Sequence, residues 1–389
     1  MALLYYGNFV KNYPNSAYVK DALLDMGVIY YNDSRYDEAL NCFDRLLTQY
    51  PGTPESRDAL STVKNIYLKQ NRVDEYFSYV KRTTKITVSN VEQDSTTYIA
   101  AEDRYMEGSY EQAATAFDNY IRRFPNGLFL IQAHYYDADA LSRLGRNDEA
   151  LPHYLAVAAM SNNQFTESAL FNGANISYSI GNYEQSLELY RTLVRTAEND
   201  QSRLQGRQGV LRSSLKTNRD GDIIGAARDL LSEAKADAAL RDEAYLALAR
   251  TYYAQQHFDS AAVAYTNLNS SSNGEYRGEA MYYKAERLFL AQSNAATSDK
   301  NRFQPAENVI EEIISNPQSD YWLARTFILW ADIFYAKGNN IQAKQTLQSI
   351  IDNYDGDDLV QLAIQKRDAI ISAETPVAPV EEEPLIIDL

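Results

Sequence analysis

Cysteine is nearly absent: Cys42 stands alone in 389 residues, so no disulfide can form within the chain. Histidine is scarce too, three residues in all, which with one thiol leaves little for a zinc site. No apolar run approaches the roughly 18 residues that a membrane-spanning helix needs, so no membrane insertion is expected. Positive charge is in deficit, 37 Lys and Arg against 53 Asp and Glu, for a net charge of −16. That surplus repels phosphate backbones and anionic lipid surfaces, and nucleic acid is not an expected partner. What abounds is tyrosine, 31 residues, within an apolar fraction of 45% that suits a packed protein. The length allows two or three globular domains or one extended array.

Self-comparison favours the array. The phrase YDEAL (36–40) returns as YEQAA (110–114), NDEAL (147–151), YEQSL (183–187), FDSAA (258–262) and, more loosely, NIQAK (340–344). Taken at its fourth residue, the pattern steps evenly through Ala2, Ala39, Tyr76, Ala113 and Ala150, then less evenly through Ser186, Ala226, Ala261, Ala306 and Ala343. In the unit from Lys20, apolar or small residues fall at Leu23, Met26, Gly27 and Tyr30, then at Ala39, Phe43 and Leu46. Spacings of three and four predict two amphipathic helices, A and B. NDSRYD between them holds turn formers, and Asp37 and Glu38 suit the positive end of helix B. Gly27 and Ala39 are small where the helices must cross closely, and Pro51 ends B, as Pro14 and Pro125 end theirs.

This pattern resembles the tetratricopeptide repeat (TPR), a two-helix unit of nominal period 34 with small residues at its eighth and twentieth positions. Gly27/Ala39, Ala101/Ala113, Ala138/Ala150, Ala174/Ser186, Ala249/Ala261 and Ala331/Ala343 occupy that pair. The unit with Lys64 and Tyr76 departs from it, so its helices are expected to splay. The units around Gly209 and Ala285 carry insertions, TNRDGD and AQSNAATSDKNRFQ. The resemblance implies an all-α fold, a right-handed α-solenoid superhelix of TPR-like helical hairpins, with about eight or nine units. The extra residues between B and the next A, as in YPNSAYVKDAL, resemble the repeats of bacterial envelope proteins of the BamD and CpoB kinds. That style implies a periplasmic or outer-membrane-associated setting in a Gram-negative bacterium, with the cytoplasm left open.

The pattern organises the chain as a partial repeat over 1–19 (second helix alone), a TPR solenoid over 20–200, and a TPR solenoid with insertions over 201–373. The last of these closes with a helix over 357–374, and a disordered acidic tail is expected over 374–389. Because 1–19 lacks a helix A, Met1 is expected to begin a fragment or a misassigned start, with any signal segment upstream. The bare face of that half unit offers a site for self-association. The terminal LIIDL is apolar and is able to dock on a partner or on the solenoid.

No catalytic constellation emerges. KTNRDGDIIGAA (216–227) sets Asn218, Asp220 and Gly221 in calcium-loop order, but has Lys216 and Ala227 where carboxylates are required, and so reads as an A–B turn. DNYDGDD (352–358) gathers acids without the distal Glu. His134 on a helix A, His153 on a helix B and His257 in a turn read as packing or surface residues far from one another. Cys42, one residue before core Phe43, reads as a structural thiol. Neither GxxxxGK[ST] nor GxGxxG after a strand is present. The expectation is no enzyme, no cofactor and no metal.

The resemblance places helices A on a concave wall that holds a protein or peptide. Position 12 of the unit reads Tyr31, Tyr105, Tyr178, Tyr253, Phe289 and Tyr335, interrupted by Leu68 and Ser142. Position 5 reads Leu24, Tyr98, Tyr135, Phe171, Leu246, Tyr282 and Ile328. Residues seven apart share a helical face, so each inner helix offers an apolar or aromatic pair. The expected partner-binding groove is Leu24, Tyr31, Tyr98, Tyr105, Tyr135, Asp139, Phe171, Asn175, Tyr178, Tyr253, Tyr282 and Tyr335. The competing reading packs these rings between repeats. Asp21, Asp25, Glu102, Asp139, Glu243 and Asp332, on or near that face, favour a partner with basic spots. Chaperone-binding members of the family clamp a carboxylate with Lys at position 5 and Asn at position 9. Here position 5 is never Lys and Asn175 alone matches, which argues against an acidic chaperone tail. The leading expectation is a protein–protein interaction scaffold in envelope assembly. The alternative is a glycan- or small-ligand-binding outer-membrane protein similar to the SusD-like proteins, with Trp322 and Trp330 to stack sugars.

Overall fold

One left-handed residue closes nearly every hairpin. At unit position 15, φ is +77° at Gly108, +76° at Gly145, +83° at Gly181 and +78° at Gly338. Ser34, Asn71 and Gln256 take the same place with φ of 59°, 57° and 61°, and Asn218 does so two residues late. Glycine enters this region without steric cost. The following amide then reaches back over the last turn of helix A, Ser109 N to Arg104 O at 2.9 Å and Asn182 N to Ser177 O at 2.8 Å, which satisfies carbonyls the helix leaves open.

The computed structural model describes residues 1–85, 87–160, 162–293 and 299–374. The tail expected beyond Glu374 lies outside them, as does part of the second insertion. Among the described residues the chain is all-α, twenty α-helices and one 3-10 turn, in two compact units, Met1–Leu193 and Val194–Leu389. Each unit is a solenoid of helical hairpins.

In the first unit, α1 (Ala2–Asn12) packs on α2 (Val19–Asn32) as a lone helix B. Hairpins follow from α2 and α3 (Tyr36–Gln49), α4 (Pro54–Lys69) and α5 (Val73–Thr84), and α6 (Asn90–Met106) and α7 (Tyr110–Arg123). Two more come from α8 (Leu130–Arg143) and α9 (Asn147–Ala159), then α10 (Thr166–Ser179) and α11 (Tyr183–Thr196). The paired small residues Ala39, Ala101, Ala113, Ala138, Ala150 and Ala174 are all fully buried. A Cβ on Gly27 would fall within the Phe43 ring, so the crossing of α2 and α3 requires glycine. At α10/α11 the Ser186 hydroxyl donates to Ala174 O at 3.0 Å, which satisfies the buried polar group that replaces alanine.

Helices α4 and α5 meet along less of their length than α2 and α3, as the Lys64/Tyr76 pair predicts. Rings fill the space: Tyr67 lies 6.3 Å from Tyr76 and 5.7 Å from Tyr79 between ring centroids. Arg104 of α6 is buried and donates to Leu68 O (2.8 Å) and Lys69 O (2.6 Å), placing a cation on the C-terminal carbonyls of α4.

In the second unit the hairpins are α12 (Asp200–Thr217) with α13 (Asp220–Leu231), α14 (Ala238–Ala254) with α15 (Phe258–Thr266), α16 (Gly274–Ser293) with α17 (Gln304–Ser315), and α18 (Asp320–Ala336) with α19 (Asn340–Asn353). The closing helix α20 (Asp357–Glu374) has the predicted bounds. The second insertion returns through a 3-10 turn whose Phe303 plugs the α16/α17 core beside Ala285, Ala306 and Ile310. Helix α15 is the short member of its hairpin, 9 residues against 17 in α14. No described helix is long and apolar enough to cross a membrane.

Candidate binding wall

The position 5 rings form a seam between repeats rather than an open surface. Tyr98 stacks on Phe129 at 4.5 Å, Tyr135 on Phe165 at 4.4 Å, and Tyr282 packs on Trp322 at 5.4 Å. The partner in each case is the aromatic nine residues before the small residue of the next helix A. Tyr98 and Tyr282 are buried, at 3% and 5% exposure, which corrects their assignment to the partner groove: a ring so enclosed touches no ligand. Tyr135, Phe171 and Leu24 are half-buried, Phe171 against Tyr190 and Leu24 in the core with Leu23 and Phe43. Trp322 is buried, and Trp330 is half-buried and stacked on Phe334 at 5.2 Å, so neither offers a sugar an open face.

Position 12 divides into two kinds of rung. Tyr105 donates to Asp139 Oδ2 of the next helix A at 2.5 Å, and Tyr253 donates to Glu286 of its next helix A. Glu286 also accepts from Tyr282 at 2.9 Å. Burial and these carboxylates raise both the Tyr105 and the Tyr253 phenol well above the ordinary value, so each stays protonated and donating. Tyr31, Tyr178 and Tyr335 form no hydroxyl hydrogen bond among the described residues. Tyr31 is half-buried beneath the Lys69 ammonium, 5.3 Å from its ring. Tyr178 is half-buried against Tyr183, and Tyr335 is 46% exposed.

Most acids expected to greet a basic partner are already engaged. Asp139 accepts from Tyr105 and pairs with Arg143 at 2.5 Å; Asp25 accepts from Tyr6 at 2.8 Å and Glu102 from Tyr98 at 2.8 Å. Arg212 holds Glu243 at 2.8 Å and Lys366 holds Asp332 at 2.8 Å. Asn175 is exposed and accepts from Tyr190 at 2.5 Å. Open on α6 beside Tyr105 are Ile99 (39% exposed) and Met106 (64%), seven residues apart, with the exposed Asp103 between them on the same face. Met106 is at unit position 13, next to the position 12 ring, and being neither aromatic nor in the position 5 and 12 ladder it has no signal in that pattern.

Two histidines read as distant are in contact. Since Ala138 faces Ala150 across an antiparallel hairpin, four residues back along α8 and three forward along α9 bring His134 to His153. Their Nδ1 atoms lie 3.1 Å apart, and His153 Nδ1 lies 3.4 Å from Asp137 Oδ2. Asp137 is 1% exposed and neither of its oxygens has a hydrogen-bond partner among the described residues. Burial lifts its carboxyl to about 7, with Asp118 adding and Arg146 opposing. Burial also lowers His134 to about 4, helped by His153, and lowers His153 against the pull of Asp118. No group of three His, Cys, Asp or Glu among the described residues is placed to hold a metal ion. Cys42 is buried, and burial raises its thiol.

The tetratricopeptide-repeat family is matched at residues 21–53, and again at 100–164 and 137–202. No curated protein matches the chain. Among solved structures, a tetratricopeptide repeat protein from Parabacteroides merdae is 14% identical, covering 71% of this chain and 98% of that one, with a TM-score of 0.37. A signal-transduction ATPase with a tetratricopeptide repeat sensor from Pyrococcus horikoshii is 15% identical, covering 93% and 55%, with a TM-score of 0.40. The apo quorum sensor NprR of B. thuringiensis is 11% identical, covering 81% and 96%, with a TM-score of 0.34. At these scores no property of those proteins is carried over. Outside the matched residues, Ala249/Ala261 and Ala331/Ala343 repeat the buried small pair, and Gln256 and Gly338 repeat the left-handed turn. Repeats of this kind generally mediate protein–protein interaction, and the chain carries tetratricopeptide repeats over the matched residues.

Proposed function

We propose that the chain is a non-enzymatic scaffold that holds an extended or helical partner segment against the inner wall of its first unit. The observation that carries this reading is the exposed Ile99–Met106 pair on α6, in a unit that also carries the unbonded Tyr31 and Tyr178 rungs on α2 and α10. Apolar anchors with phenols able to donate or accept suit a ligand that brings its own side chains and free backbone. The engaged acids remove most of the charge preference, so recognition is mainly by shape and apolar contact. By the resemblance of its repeat style, the setting is the bacterial envelope, which protease shielding of the native protein in spheroplasts tests.

A random-peptide display selection on the intact chain tests the wall. Selected peptides are expected to lose at least tenfold in affinity on Ile99→Asp with Met106→Asp, and less on Tyr178→Ala. Selected peptides that bind the α6 double variant unchanged, or no selection at all, overturn the reading.

A further inference from the structure

The second unit has an apolar cleft along its short helix α15, with the wall rung Tyr253 among its lining residues. Nine residues of α15 leave part of α16 uncovered, and a cleft of about 230 Å³ opens, lined by Phe258, Ala262, Tyr265, Tyr283 and Leu288. It adjoins a second hollow of about 280 Å³, floored by Met281, Trp322 and Leu323, with Asn269 and Lys284 common to both. Val263, on the same short helix, is 67% exposed.

The cations of the unit divide by what they hold, Arg228 and Arg325 each bonding a phenol and Arg241 backbone carbonyls. Arg203, Arg212, Lys235, Arg250, Lys337 and Lys366 each hold a carboxylate. Arg277, Lys284 and Arg287, spaced along the cleft on α16, hold none among the described residues. Arg287 lies over the Phe258 ring at 4.2 Å, and the buried Nε of Arg277 has no partner. Glu312 is the acid of the lower hollow. In a chain of net charge −16, a row of three cations beside apolar walls selects an acidic, apolar segment.

We propose that this cleft docks the chain's own segment 381–388, EEEPLIID, with the glutamates on Lys284 and Arg287 and the Leu385–Ile386–Ile387 side chains between α15 and α16. The reach suffices. Helix α20 packs on α18, and α18 on α16, so α16 lies two helix spacings from α20, roughly 20 Å at 8–10 Å each. The eleven residues from Glu374 to Leu385 span up to about 36–40 Å when extended. The segment offers three consecutive carboxylates followed directly by apolar side chains, which is the order the cleft presents from its charged rim to its floor.

The test uses the full-length chain. Hydrogen exchange of α15 is expected to quicken at least fivefold in Leu385→Asp/Ile386→Asp, whose changes lie outside every described helix, and to a similar degree in Lys284→Glu/Arg287→Glu. Joining the latter pair to Glu381→Lys/Glu382→Lys/Glu383→Lys is expected to restore protection. A photoreactive benzoylphenylalanine at Ile386 is expected to crosslink within one chain to 258–288. Equal exchange across the set, or crosslinks to the α6 wall, overturns the proposal. So does a crosslinked dimer, which makes the occupant a second copy's segment.

Discussion

Hairpins α2/α3 and α4/α5 are sequence neighbours that close by opposite means. In the first, Gly27 lets the Phe43 ring lie against the backbone of α2, and the helices cross closely. In the second, Lys64 and Tyr76 hold the crossing positions, and Tyr67, Tyr76 and Tyr79 fill the wider gap. The wide hairpin has its α4 carbonyls capped from outside by Arg104, a residue of the next repeat. The close hairpin is capped from outside as well, Ser56 of α4 donating to Tyr50 O at 2.6 Å, so the difference between the two lies at the crossing itself. Stability in such arrays is local plus nearest-neighbour, so hydrogen exchange resolved by hairpin is the fitting readout.

The largest expected effect is Tyr76→Ala, which empties the wide crossing and costs about 3–5 kcal/mol, read as loss of protection in α4 and α5. Gly27→Ala overpacks the narrow crossing and costs about 1–3 kcal/mol in α2 and α3, while Lys64→Ala at the same unit position costs under about 0.5 kcal/mol. Equal effects at Gly27 and Lys64 would erase the comparison. Arg104→Met strips the guanidinium from Lys69 O and from Leu68 O, which keeps Asn71 N at 3.0 Å, and costs about 1–3 kcal/mol, and the loss should fall on α4 as well as α6.

A third hairpin, α8/α9, has the narrow small–small crossing but encloses charge. Asp137 sits at about 7 in the fold against an ordinary 3.8, so the folded state holds the extra proton between those values. Its burial therefore costs stability above pH 7, and the cost is relieved as pH falls toward 3.8. His134 works the other way: held neutral down to about 4, it loses stability as pH falls from 6.5 toward 4. Asp137→Asn should stabilise the chain at pH 8, and its advantage over the parent should shrink on acidification from pH 7 by up to about 1.4 kcal/mol per pH unit. Urea melts at pH 8, 6 and 5 check it; a constant difference would show that Asp137 does not change charge in this window. The smallest effect is at the turns. Gln256→Gly should gain about 0.5–1 kcal/mol by removing a strained left-handed side chain, and Gly145→Ala should lose a similar amount, by thermal melting.

Much of the fold was legible because it is written in residues with few physical alternatives. Small pairs such as Ala138/Ala150 mark crossings, prolines such as Pro51 mark ends, and the period aligns the helices. The binding wall was less legible, since whether a tyrosine faces solvent depends on what stands in the next repeat. Tyr105 and Tyr31 share a position, yet the first meets Asp139 and the second does not meet an acid. The burial of Tyr98 hung on Phe129, thirty-one residues away. The histidine contact was within reach of register arithmetic, because the Ala138–Ala150 crossing fixes which residues of α8 and α9 meet. Spacing alone does not disclose it.

The phenol-to-carboxylate bonds that tie α6 to α8 and α14 to α16 act as rivets. Where they are present, one repeat cannot pivot on the next without stranding a buried donor. At α2 and α4 the Tyr31 hydroxyl makes no such bond; its ring meets Tyr36 and the Lys69 ammonium, and the polar tie between the two helices is the Lys20–Glu55 ion pair at 2.8 Å. A ligand lying across that seam therefore meets a joint held by an ion pair that salt can screen, and one lying across α6 and α8 meets a joint held by a phenol-to-carboxylate bond.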